Sequence, residues 1–319
     1  MPLEEENFFP EISSIYVVAC EIGMFKAAFS HWGVVGQALL VTFLWSTSYV
    51  LVKIGLVDIP PITFAGLRYS LAFLVLLPFF FRQGQASKLR TLTKRDWVRL
   101  VVLGLLFYAI TQGTNFVGLF YLPTVTVSLL LSFSPVVVAL LGILVLREQP
   151  HWRQWFGIGL CIIGAFLYFY PLVMPNGQAI GFTIVILGVL ANALSSILGR
   201  EVNRSGNIPP LTVTVVSMGV GGLVLLFSGL ALQGLPELSP TTWAIILWLA
   251  VVNTAFAFTL WNHTLRTLSA MESTVINNTM LIQIAVLAWL FLGDSMNSLE
   301  IVGMVVAAVG ALLVQLKNK

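Results

Sequence analysis

The chain has 319 residues, 58% hydrophobic and only 9% charged. Soluble domains carry about 25% charged residues, so a water-facing surface is excluded and lipid must solvate most of this one. The net charge of +3 comes with no basic face interleaved with aromatics, which excludes nucleic acid as a partner, and the two cysteines, Cys20 and Cys161, exclude a disulfide framework.

Residues 1–33 read as an N-terminal cytoplasmic tail. Glu4, Glu5 and Glu6 open it, and the apolar run 15–30 is broken by Glu21 and Lys26. That run is too short and too charged to span a bilayer, and it is no signal peptide. Met24 is the expected translation start; an N-terminus at Met1 in the intact mass of natively expressed protein would refute it.

A helix needs roughly 20 apolar residues to cross the hydrocarbon core. Ten such stretches follow, at 34–56, 62–81, 98–119, 123–146, 153–171, 179–199, 211–232, 242–262, 270–292 and 298–316. They are separated by Pro60 and Pro61, the basic stretch 82–99, Pro123, and links near 147–153, 171–177, 200–210, 235–240, 265–268 and 293–297. Most links are short, so consecutive helices are antiparallel neighbours. The fold class is therefore all-α integral membrane. The repeat described below makes the ten transmembrane helices two inverted five-helix repeats, 34–171 and 179–316.

With the links numbered alternately from an inside N-terminus, 14 of the 16 Lys and Arg fall on one side; the exceptions, Lys53 and Arg68, lie within spans. The opposite links carry only Asp58, Glu237, Asp294 and Glu300. The positive-inside rule then puts both termini in the cytoplasm and the protein, as a multi-pass chain, in the inner (plasma) membrane.

Shifting the sequence by 146 residues aligns Glu148 with Asp294, Gly157 with Gly303, Gly164 with Gly310 and Ala165 with Ala311, without a gap from about 120 to 167. Five spans per half is an odd number, so the repeated motif faces opposite sides of the membrane. Inverted repeats of this kind recur in secondary carriers, whose solute site lies near midplane between them.

The residues resemble the drug/metabolite transporter superfamily, specifically EamA-type transporters, over about 34–316. The resemblance rests on the order and spacing of LWSTSYVLVKIGL with Trp45, Ser46 and Lys53, FAGLRYSLAFL around Arg68, SLLLSFSPVVVALLGILVLREQ with Pro135 and Glu148, and GIGLCIIGAFL. In the second half it rests on FTLWNHTLRTLSAMESTVINN and LAWLFLGDSMNSLEIVGMVVAAVGALL. Two departures stand out: Leu281 where a proline often matches Pro135, and Asp294 where Glu is usual. The resemblance implies a ten-helix basket with a central cavity lined by spans one to four and six to nine, whose halves rock to give alternating access. It also implies export or exchange of small metabolites such as amino acids. A multidrug or lipid/amphiphile exporter (flippase-like) is the alternative that the same architecture serves.

Polar groups in the bilayer core need a partner or a water-filled cavity. The candidates for solute binding are Trp45, Tyr49, Arg68, Tyr108, Gln112, Asn115, Asn192, Asn253 and Asn277. Gln112 and Asn115 are three apart and share a helical face, with Tyr108 a turn earlier as an aromatic wall; bonding between helices explains the amides too. Arg68 either snorkels outward or, facing the cavity, takes a carboxylate in bidentate fashion. Lys53 is expected to snorkel, Pro135 to kink span four, and the paired glycines to pack helices closely.

No Asp or Glu lies at the predicted hydrocarbon centre, Glu272 being nearest, and His31, His151 and His263 sit near the cytoplasmic boundary. Proton coupling therefore has little support. No acid pair, Ser–His pair, His/Cys cluster or nucleotide fingerprint lies at depth, so the chain reads as no enzyme, with no catalytic residue, metal or cofactor. Its partners are a small-molecule substrate and the lipid bilayer, with a homodimer as one possible assembly.

Overall fold

The computed structural model describes residues 31–82, 84–146, 152–170, 178–204, 208–264, 267–268 and 270–315. The N-terminal tail, with Cys20 and Met24, lies outside the described residues. Helices α1 (His31–Gly55) and α2 (Pro61–Arg82) come first, then a single turn, Ala86–Leu89. Helix α3 runs through Lys94–Leu103, a π-helical stretch Gly104–Thr111, and Gln112–Tyr121. Helix α4 is Thr124–Ser132 and Ser134–Leu146, and α5 is Trp152–Tyr168. The second half has α6 (Gln178–Arg204), α7 (Pro210–Leu232), α8 (Pro240–Ala250, π-helical Val251–Phe256, Ala257–Thr264), α9 (Ala270–Leu292) and α10 (Ser298–Gln315). Among the described residues nine helices are long and apolar enough to cross a membrane. The shortest of the ten, α5, has 17 residues and rises about 25 Å.

Local chemistry sets the helix ends. Pro61, Pro210 and Pro240 stand at first-turn positions, where a missing N–H costs nothing. Thr93 and Asp96 form a capping box that starts α3, and Ser239 caps α8 by accepting from the Thr242 amide. Gln233 Oε1 reaches from the end of α7 to accept from the Ile62 amide (2.9 Å) at the start of α2. Gly293, at φ +70°, ends α9.

The expected kink in α4 is present. The helix breaks at Phe133 (φ −80°, ψ −6°), because Pro135 has no amide to offer the Leu131 carbonyl four residues back. The Ser134 hydroxyl donates to that carbonyl instead (2.8 Å). Helix α9, with Leu281 at the matching position, runs unbroken.

Helix pairing is symmetric about the two halves. α2 packs on α7, α4 on α9 and α5 on α10; α1 packs on α8 and α9 just as α6 packs on α3 and α4; and α3 packs on α7 as α8 packs on α2. Exchanging the halves maps this set onto itself. The packed bundles are therefore α1–α8–α9 and α3–α4–α6, each mixing both halves, because α1 and α6 cross over. The α5–α10 pair closes one end through glycines: a Cβ on Gly303 would lie 2.5 Å from the Tyr168 amide nitrogen, and one on Gly164 would lie 2.6 Å from the Gly303 carbonyl oxygen.

Candidate functional site

The largest cluster of buried polar side chains joins α1, α2 and α8. Arg68 lies seven residues into α2 and is only 5% exposed. Its Nε donates to Thr254 Oγ1 (3.0 Å) and its Nη2 to Ser48 Oγ (3.3 Å). The guanidinium carbon sits 5.3 Å from the Tyr69 ring centroid and 6.0 Å from that of Phe116. Arg68 thus does not snorkel; it points into the protein.

Asn253, fully buried on α8, completes the cluster. Its Nδ2 donates to Ser48 Oγ (2.9 Å) and Thr47 Oγ1 (3.0 Å) and contacts the Leu44 carbonyl oxygen. A carbonyl only accepts, so this contact fixes which amide atom is nitrogen. Asn253 Oδ1 is left buried without a partner. One turn toward the N-terminus of α1, Trp45 packs against Phe258 (5.2 Å between centroids) and Trp261 (5.3 Å), and its Nε1 also lacks a partner. Ser46 Oγ donates to Gln283 Oε1 (2.9 Å), which ties α1 to α9.

The π-helical stretches set the geometry of α3 and α8. Thr111 Oγ1 donates to the Leu106 carbonyl, and Thr254 Oγ1 to the Leu249 carbonyl, each five residues back and each at 2.8 Å. π-Bulges are frequent at functional sites. Here the bulge in α8 presents Asn253 and Thr254 together toward α1 and α2.

The expected site residues divide. Trp45, Arg68 and Asn253 belong to the cluster. Tyr49 lies within electrostatic reach of the Asn115 side chain and of Arg68. Asn115 Oδ1 is buried without a partner, so α3 brings a further amide to the rim of the cluster. Tyr108 turns to the core: it is 4% exposed and edge-on to Tyr69 at 5.6 Å. The π stretch ends at Thr111, between Tyr108 and Gln112, and its wider turn shifts the register on which a shared face depended. Gln112 is half-buried on α3, and Asn277 is exposed on α9. Asn192 lies apart, its Nδ2 donating to Ser134 Oγ (2.9 Å) beside the kink of α4.

Lys53 does not snorkel. Its Nζ donates to the Leu119 (2.5 Å) and Leu122 (2.9 Å) carbonyls and caps the end of α3, where the helix dipole favours a cation. Its place near the C-terminal end of α1, beside the C-terminal end of the parallel α3, is what allows this role. Thr47 was not singled out from sequence; a threonine in an apolar helix is ordinarily satisfied by its own backbone, as Thr47 also is through Leu44.

Two hollows lie elsewhere, toward the ends of the helices. One, of about 490 Å³, is lined by Thr126, Tyr168, Gln178, Asp294 and Glu300 among others; the second, of about 570 Å³, lies beside the α1–α2 link. None of the expected site residues lines either.

Comparisons with known proteins follow the same two-part division. The model of the EamA-like transporter family matches residues 32–170 and again 179–316. An uncharacterized transporter of Archaeoglobus fulgidus is 24% identical over 285 residues, covering 88% of this chain and 96% of that protein. A probable amino-acid metabolite efflux pump of Salmonella typhimurium is 25% identical over 284 residues, covering 86% and 91%. Its namesake in Escherichia coli is 25% identical over 235 residues, covering 70% and 75%. A crystal structure at 15% identity superposes with a TM-score of 0.64 over 88% of this chain and 97% of its own, which establishes a shared fold.

Proposed function

The chain belongs to the EamA-like transporter family, and from that premise we propose that it exports or exchanges small metabolites, amino acids among them, across the inner membrane. Both termini face the cytoplasm, and α5 completes ten passes arranged as the repeats 34–171 and 179–316. Access alternates as the bundles α1–α8–α9 and α3–α4–α6 rock against one another. The α2–α7 and α5–α10 pairs serve as the flanks about which they move. Solute binds at a central cavity that forms where Arg68, Asn253, Trp45, Tyr49 and Asn115 converge, with Gln112 farther along α3.

The observation that carries this reading is the buried polar cluster itself. Arg68, Ser48, Asn253 and Thr254 are each at most 5% exposed, deep within apolar helices. Such groups in a membrane interior mark solute paths. The names of the relatives from Salmonella typhimurium and Escherichia coli support amino-acid metabolites as the solute class.

The test is efflux from liposomes. Full-length protein is reconstituted, the vesicles are loaded with radiolabelled amino acids, and release is followed with and without unlabelled solute outside. Release above that of protein-free vesicles, accelerated by outside solute, is expected, with little change under a pH gradient. Release equal to that of protein-free vesicles for every solute would refute the reading. The aromatic trio Trp45, Phe258 and Trp261 favours amphiphilic solutes as the second reading; labelled lipid moving between leaflets in the same vesicles would establish it.

A further inference from the structure

A guanidinium is planar and carries five N–H donors. In Arg68 one is given to Thr254 and one to Ser48. Among the described residues Nη1 has no hydrogen-bonded acceptor, and no carboxylate pairs with the group. The nearest rings, Tyr69 and Phe116, attract a cation without neutralising it. A charge held in low dielectric by two neutral hydroxyls is incompletely compensated.

The packing of the fold does not ask for that charge. Seven residues into α7, as Arg68 is seven residues into α2, stands Ser217, whose hydroxyl donates to the Val213 carbonyl of its own helix (2.6 Å). Counted from the helix starts, Ser195 in α6 matches Ser48 in α1, and Tyr108 in α3 matches Thr254 in α8. Ser195 is likewise satisfied within its own helix, by the Asn192 carbonyl, and Tyr108 packs edge-on to Tyr69. The matching positions on the other side therefore hold Ser217, Ser195 and Tyr108 and no cation.

Other orphan atoms surround Arg68. Asn253 Oδ1 and Asn115 Oδ1 are buried acceptors without donors. Asn253 shares Ser48 with Arg68, and Asn115 and Arg68 are both within electrostatic reach of Tyr49. One unpaired cation beside two unpaired acceptors complements a ligand that carries an anion next to a donor.

We propose that Arg68 anchors the carboxylate of the carried solute and that its bond to Ser48 forms a latch, tying α2 to α1, which that carboxylate displaces while Nε stays on Thr254. This deepens the transport reading and rests on it. The ligand class is a small carboxylic acid with an N–H or O–H donor on the neighbouring carbon. Its two oxygens take the Nη1 and Nη2 edge in bidentate fashion, and its donor reaches the Asn253 or Asn115 oxygen. Once Nη2 turns to the solute, Ser48 is released and α2 loses its tie to α1. Binding thereby favours the arrangement in which the two have separated.

The test uses full-length protein in detergent and two quartets of probes that differ only in the charged groups. These are leucine, 2-hydroxy-4-methylpentanoate, leucinamide and isoamylamine, and the matching phenylalanine, phenyllactate, phenylalaninamide and phenethylamine. Binding is read by tryptophan fluorescence and thermal shift. The acids of at least one quartet are expected to bind about tenfold or more tighter than the amide and amine, as a charge-assisted bidentate contact requires. Arg68→Gln erases that preference, while Arg68→Lys keeps it in weakened form because the fork is lost. Ser48→Ala leaves the guanidinium but removes the acceptor that competes for Nη2, so it tightens acid binding about threefold; a merely structural role for Arg68 predicts no tightening. This variant keeps the test open should Arg68→Gln fail to fold.

Amides that bind as tightly as acids, amines bound where acids are not, a folded Arg68→Gln that keeps the acid preference, or unchanged or weaker acid binding by Ser48→Ala would each overturn the proposal. If wild-type liposomes carry neutral or cationic solutes but no acid, transport stands and the role of Arg68 falls. If they carry nothing, both fall.

Discussion

The two sides of this molecule are matched in packing and unequal in chemistry. Around α8, Arg68, Ser48, Asn253 and Thr254 reach from helix to helix. Around α3, the matching Ser217 and Ser195 donate to their own helices, Tyr108 packs on Tyr69, and no cation stands among them. The internal repeat thus supplies its own control. Shared features, such as the π stretches with their threonine bonds and the glycine contacts of α5 and α10, are what the frame needs. Features on one side alone, Arg68 above all, are kept at a cost in desolvation and call for a different explanation.

The comparison breaks most completely if the frame itself is broken. Gly303→Val places a Cβ 2.5 Å from the Tyr168 amide nitrogen, and backbone cannot move aside as a side chain can. We expect a loss of about 3 kcal/mol or more, read as a collapse of the monodisperse peak in size-exclusion chromatography. Normal folded yield would show that α5 and α10 can separate freely and are no fixed flank.

A milder intervention separates the two sides. Asn253→Ala removes an amide whose two N–H groups are shared among Ser48 Oγ, Thr47 Oγ1 and the Leu44 carbonyl of α1, which costs about 1–3 kcal/mol as buried hydrogen bonds are lost. Asn192→Ala removes one bond to Ser134, worth about 0.6 kcal/mol in membrane helices. Thermal unfolding in detergent should order them so, and liposome efflux should fall several-fold for Asn253→Ala alone. Equal effects on both measurements would erase the distinction between the two sides.

Much of this was legible in the sequence, for reasons that can be named. Helix existence and ends follow from apolar runs cut by proline, glycine and charge, so α9 begins and ends where the residues predict. The kink at Phe133 was legible from Pro135. The repeat was legible from an acid and paired glycines at one spacing, but the crossing over of α1 and α6 was not, since hydropathy gives passes and not neighbours. Hence Arg68 stayed open between two fates: its partner Thr254 is 186 residues away. The π stretches were not legible either. Threonine on an apolar helix bonds its own backbone in any case, and whether it reaches three, four or five residues back leaves no mark on composition. Tyr108 was misplaced for that reason, because its relation to Gln112 assumed an unbroken α-helix.

The smallest effect tests how far the polar cluster extends along α3. Asn115 lies within electrostatic reach of Tyr49 on α1 and keeps a buried, unpaired oxygen, whereas Gln112, half-buried like Asn115, opens the last α-helical segment of α3. Both were expected to line one face, yet only Asn115 is near the side chains around Arg68. Asn115→Ala should therefore slow efflux about threefold, in keeping with a modest hydrogen-bond loss, without reducing folded yield. Gln112→Ala should slow it less, because its amide is not held against the cluster. If Gln112→Ala proves the more damaging, the solute path runs past Gln112 on α3. Arg68 would then stand at its far end and not at its centre.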